Sequence, residues 1–136
     1  MVAYNKFNAF VQDIAQGVHN LSTNSLTYAL TATLPVATNS VIANITQIAY
    51  TNMSTRVPTI TSCTQTGGLL KLIIANLTIT QSTTASAAFQ YVVFYNATPA
   101  AGPLISWWDY GSSVTLQPND TFAIQPDAAN GILQIQ

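Results

Sequence analysis

Charge is what this sequence lacks most. Of its 136 residues only Lys6, Arg56, Lys71, Asp13, Asp109, Asp120 and Asp127 ionise strongly, and glutamate is absent. That is 5% charged residues, against about 25% in an average soluble domain. Three cations at a net charge of −1 cannot neutralise the run of phosphates from which nucleic-acid binding draws its affinity, so no nucleic-acid partner is expected. Disorder is not expected either, because 49% of the chain is hydrophobic and little charge solvates it. A surface with so few charges of either sign favours association over a dispersed monomer. Its polarity comes instead from Thr, Ser, Asn and Gln, which together exceed a third of the chain.

Other scarcities exclude more. Cys63 is the sole cysteine, so no intramolecular disulfide can form, and a buried, inert thiol is expected. His19 is the sole histidine, which argues against a zinc site of about four His, Cys or acid ligands. The most apolar run, "LLKLIIANL", carries Lys71 and falls well short of the roughly 20 residues that span a bilayer, so no membrane partner is expected. The opening "MVAYNKFNAF" has no apolar core of secretory length, and no signal peptide is expected there. The N-x-S/T triplets at Asn20, Asn44, Asn52, Asn76, Asn96 and Asn119 then read as by-products of composition.

What is present is pattern. Phe7, Phe10, Val11, Ile14 and Val18 recur at the spacing of one helical face. A helix is expected over residues 1–21, with Asn5 as its cap. From Ser25 the period becomes two. In "SLTYALTAT" Leu26, Tyr28 and Leu30 share one face, and Thr27, Ala29 and Thr31 the other. "TNSVIANITQIA" reads as a short helix or ordered loop. Strands are then expected over 59–66, 69–80, 88–98, 104–110, 112–116, 121–125 and 132–135, with Gly67-Gly68 as a hairpin turn. The chain length suits one domain, residues 1–136, in which a β-sandwich over 25–136 carries the N-terminal helix. About eight short strands with frequent turn signals make the class mainly β, an antiparallel sandwich or jelly-roll-like fold.

Catalytic chemistry has little raw material. No nucleophile elbow, kinase or phosphate-loop motif occurs. His19 sits where it could satisfy the last carbonyls of the helix. Asp109, Asp120 and Asp127 each lie beside turn residues, where aspartate accepts bonds from nearby backbone N–H groups. Paired carboxylates for glycoside hydrolysis and a calcium site from Asp120 and Asp127 are the sharper alternatives, and neither has a supporting motif. No catalytic residue, metal ligand or cofactor is assigned, and an enzyme is not expected.

The aromatic cluster "ISWWDYGSSV" (105–114) holds both tryptophans. Neighbours on a strand point to opposite faces, so Trp107 and Trp108 cannot form one stacking platform. Simple alternation groups Leu104, Trp108 and Tyr110 on one face and Ile105, Trp107 and Asp109 on the other. Asp109-Tyr110-Gly111 reads as the turn that closes the strand. One indole is expected in the core and the other at a subunit contact or a sugar platform.

Several stretches resemble a family of small structural proteins of tailed bacteriophages. They are "KFNAFVQDIAQGVHNL", "SLTYALTATLPVATNSVIANITQI", "QTGGLLKLIIANLTIT", "YVVFYNATPAAGPLISWWDYGSSVTL" and "PNDTFAIQPDAANGILQI". The resemblance covers nearly the whole chain, and "WWDYGSSV" and "ANGILQI" are its most distinctive parts. It implies a virion component of the capsid cement, or decoration, class, often a sandwich or jelly-roll dimer or trimer clipped onto the lattice. The implied partners are the major capsid protein and further copies of this chain. The implied place is the capsid surface, after synthesis in the host cytoplasm. Relatives carry acidic and lysine residues where this chain has Gln12, Gln16, Asn44 and Gln47, so attachment here is not expected to be electrostatic. Phe7, Phe10, Trp107 and Trp108 are the candidate subunit-interface residues. The alternatives are a tail or neck component, or a carbohydrate-binding module for host attachment.

Overall fold

The computed structural model describes residues 2–136. It is mainly β, with one short helix near the N-terminus and antiparallel pairing throughout. The strands are β1 (Asn5–Lys6), β2 (Leu26–Thr31), β3 (Ile60–Thr66), β4 (Leu69–Ile74), β5 (Leu77–Thr80), β6 (Phe89–Asn96), β7 (Leu104–Val114), β8 (Thr121–Ile124) and β9 (Leu133–Ile135). Helix α1 (Asn8–Ala15) lies between β1 and β2. Among the described residues no helix is long and apolar enough to cross a membrane.

The helix is shorter than the 1–21 expected, and Met1 lies outside the described residues. Two interactions trim it. Asn5 and Lys6 pair with Trp107 and Ser106 as β1, so Asn5 caps nothing. Its side-chain amide donates to Ala3 O and Trp107 O instead. At the other end Gly17 takes φ +72°. The amides of Gly17 and Val18 then donate to Ile14 O and Asp13 O, the paired bonds that close a helix on a left-handed residue.

One layer is the sheet β1-β7-β6-β2. The smaller sheets, β3-β4-β9 and β5-β8, together make the other. Register shows why. Ile60 pairs with Ile74, Thr59 O accepts from Ala75 N, and Met53 bridges Gln81. Residues 53–66 therefore run along one side of the whole β4–β5 stretch. On its other side Ile124 pairs with Leu77 and Leu133 with Leu72. Strands β8 and β9 thus follow one another along a single outer edge, separated by the loop 125–132. The run 69–80, expected as one strand, serves both small sheets because Ala75 and Asn76 interrupt it.

The main core lies between the layers. It joins Leu26, Tyr28, Leu30, Phe94, Leu72, Ile79 and other buried apolar groups. A smaller cluster on the opposite face of the four-stranded sheet holds Phe7, Ala29, Ile45, Val93, Leu104 and Trp107. Every residue of β2 is therefore buried. The expected alternation holds there, but its second face is also covered. Burial of each large apolar side chain contributes roughly 1.5–3 kcal/mol. The β3–β4 hairpin turns on Gly67 and Gly68, both at positive φ, as a two-residue turn matched to strand twist requires.

The segment 38–49, expected as a short helix or ordered loop, contains only the 3-10 turn Ile42–Asn44.

Candidate functional site

Strand β7 positions the tryptophans. Its pairing with β6 shifts between Phe94 and Tyr95, where Phe94 faces Ser106 and Tyr95 faces Leu104. Ile105 is the extra residue, and a bulge of this kind re-aims side chains. Leu104 therefore joins Trp107 in the small cluster, and Ile105 joins the main core with Trp108 packed against it. The face grouping expected from simple alternation is corrected at these two positions. The separation of the indoles stands.

Trp107 is 9% exposed, with its ring centroid 4.5 Å from that of Phe7. Phe7 is 0% exposed and Phe10 5%. Both of these interface candidates are thus buried within the chain itself. Phe7 packs in the smaller cluster and Phe10 in the main core, while Val11 is an exposed large apolar residue of α1. Of the interface candidates only Trp108 keeps a partly open ring. It packs edge-on against Tyr4 at 5.8 Å.

Strand β7 does not end at Asp109-Tyr110-Gly111. The segment forms a second irregularity inside the strand, between the pairs Tyr91–Asp109 and Phe89–Val114. Asp109 does what aspartate does in turns: its Oδ1 accepts from Gly111 N at 2.7 Å and from Gln90 Nε2 at 2.9 Å. Gly111, at φ +90°, supplies the left-handed backbone. The expected break between 110 and 112 is thereby a bulge within one strand.

This irregularity leaves Tyr110 half exposed, edge-on to Phe122 at 5.4 Å. Here the sandwich is open. A groove of about 850 Å³ enters between the layers. Val92 and Trp108 line it from the four-stranded sheet, and Val2 and Tyr4 from the N-terminal segment. Residues 122–127 and 130–134 form the opposite wall. A face of a strand offers only every second side chain. Contact with consecutive residues means that the β8–β9 edge, with its backbone groups, borders the groove.

The carboxylates and the histidine are engaged in local bonds, with Asp127 at the rim of this groove. Asp127 Oδ1 accepts from Ala129 N and Asn130 N, and Oδ2 from Asn130 Nδ2. These bonds, that from the Asn130 side chain foremost, hold its carboxyl below the usual range. Asp120 Oδ2 accepts from Gln117 N. His19 is buried beside Phe10. Asn96 Nδ2 donates to its Nδ1 at 3.3 Å, and Nε2 lies 3.8 Å from Asp13 Oδ2. Burial lowers its pKa, and the Asp13 charge partly opposes this. The expected bonding of His19 to helix carbonyls is not made, because Gly17 and Val18 already close that end. Cys63 is half buried, and burial pushes its thiol pKa up. Among the described residues no three His, Cys, Asp or Glu side chains gather as a metal site would need.

The groove was outside the reach of sequence reasoning, since it depends on where β8 and β9 pair. Tyr110 and Tyr4 gave no local sign of a shared wall. What this arrangement can do chemically is bury apolar surface and pair backbone groups. No protein-family model, no curated protein and no solved structure matches this chain.

Proposed function

We propose that this chain is a structural virion protein of the capsid cement class, which binds the major capsid protein in the assembled lattice. The observation that carries the reading is a division of labour. Most acidic groups and the histidine are engaged in local contacts within the fold, while a largely apolar mouth, with Asp127 at its rim, stands open at one side. This suits contact better than catalysis. The resemblance of "WWDYGSSV" and "ANGILQI" to phage structural proteins supports the virion setting. A protein that binds only the assembled lattice stabilises it by mass action, multiplied over symmetric copies.

Such attachment rests on apolar burial and uncharged hydrogen bonds, so salt has little to screen. Co-sedimentation with purified capsids should change little between low salt and about 1 M salt. Release at high salt, or failure to bind capsids at all, would overturn the reading.

A second reading is favoured by one feature, the partly open rings of Trp108, Tyr110 and Tyr4 at the mouth. Together they could present an aromatic surface to a neutral sugar of a host glycan. Titration with neutral oligosaccharides separates the two. Saturable change in tryptophan fluorescence supports the sugar site, and silence supports a protein seam.

A further inference from the structure

The β8–β9 edge is, like β3, an edge of the second layer that no other strand covers, and the groove opens beside β8–β9. Strand β8 pairs only with β5, and β9 only with β4. Their outer N–H and C=O groups have no backbone partner among the described residues. Proteins commonly blunt such edges with lysine, proline or a covering loop. Here β8 reads "TFAI" and β9 "LQI", with neither charge nor proline. Beside this edge lie Val2, Tyr4 and Tyr110. They are 48%, 42% and 53% exposed, three of the seven large apolar side chains that stand in solvent among the described residues.

We propose that two copies of this chain pair through this edge around a two-fold axis, with β8–β9 of one beside β8–β9 of the other. The occupant follows from charge and symmetry. Among the described residues Asp127 is the only charged side chain lining the mouth, and both its oxygens already accept hydrogen bonds. An anionic partner segment would be repelled by it, and a charged segment laid along β8 or β9 would meet no counter-charge on the strands themselves. The chain's own edge is uncharged, and a net charge of −1 adds little repulsion between copies. An antiparallel edge is also self-complementary: residue i meets j and j meets i, the requirement of a two-fold interface. The pairing would extend the second layer across both copies and bring the two apolar mouths together. It deepens the homo-oligomer part of the reading above and stands without its virion part.

Sedimentation velocity of the full chain, alone, over roughly 1–200 µM tests this at concentrations spanning a micromolar Kd. The expected species is a dimer of the 14.5 kDa chain, unaffected by salt. Ala123 and Gln134 are exposed edge residues. Ala123→Lys and Gln134→Lys should each weaken association by about tenfold or more, while Thr64→Lys on β3 should leave it unchanged. Hydrogen exchange should show concentration-dependent protection at 121–124 and 133–135. A monomer throughout overturns the proposal. So does a dimer that both edge lysines leave intact, or one whose protection falls on other strands. Capsid binding by a chain that stays monomeric would overturn the dimer and leave the cement reading standing.

Discussion

Two edges of the sandwich, β2 and β8–β9, meet the surroundings in opposite ways. The β2 edge is covered. Tyr28 N donates to Arg56 O, Leu30 N donates to the Tyr50 hydroxyl, and Leu30 O accepts from Ile48 N. Thr31 Oγ1 donates to Thr46 O at 2.6 Å. The Arg56 guanidinium bonds Tyr28 O and lies 3.4 Å from the centre of the Tyr50 ring. A stretch without regular structure thus satisfies the strand as a neighbouring strand would. The β8–β9 edge has no such cover, although its side chains are no more polar. An irregular segment over one edge protects it, and its lack over the other leaves a surface for assembly.

The largest expected effect lies on the covered side. Arg56→Ala removes a charge-assisted hydrogen bond and a cation–π contact, and should cost about 2–4 kcal/mol. The urea midpoint measures it. Gln134→Ala on the bare edge should stay within about 0.5 kcal/mol. Equal losses at the two positions would break the comparison, because both edges would then depend on cover to the same degree.

Next is Gly131, two residues before β9. It has φ +80°, and an added Cβ would run into Leu72 O. Its neighbour Ile132 donates to that same carbonyl. Gly131→Ala should cost about 1–3 kcal/mol from backbone strain. It should also speed amide exchange across β9 while leaving β2 protected. Loosening of β2 instead would show that the edges are not independent.

The smallest effect is a pH dependence confined to the covered half. His19 ties the segment after α1 to Asn96 of β6. Its folded pKa is lowered, so the unfolded chain binds the proton more readily. Stability should therefore fall as pH drops below about 6.5, the unfolded value, and level off below the folded one. Thermal unfolding from pH 8 to 5 follows this, and His19→Gln should flatten the curve. Self-association through β8–β9, whose described residues include no histidine, should not follow this curve.

Local order was legible where local chemistry decides it. The alternation of residues 26–31 and the Gly67-Gly68 hairpin needed only their own side chains. The turn bonds of Asp109, Asp120 and Asp127 were equally local. Helix length was not legible, because Asn5 and Lys6 were claimed by a strand some hundred residues away. The facing of Leu104 and Ile105 depended on a register shift set by β6. Phe7 and Phe10 had the right spacing for a common face, but Phe7 lies before α1 and packs in the smaller cluster, while Phe10 packs in the main core. The mouth at Trp108 required knowing that β8 and β9 share one side of β4–β5. Pairing at that range leaves no periodic trace in the strands it joins.

The few charges have one more consequence, for how fast this molecule meets others. Arg56, Lys71, Asp109, Asp120 and Asp127 each bond a backbone group of the chain itself. Used as internal fasteners at a net charge of −1, they project almost no field into solvent. Encounters are then unsteered, with on-rates near the roughly 10⁵–10⁶ M⁻¹s⁻¹ of neutral partners. Once the open edge has found its match, the lifetime of the contact rather than the frequency of collision sets its strength.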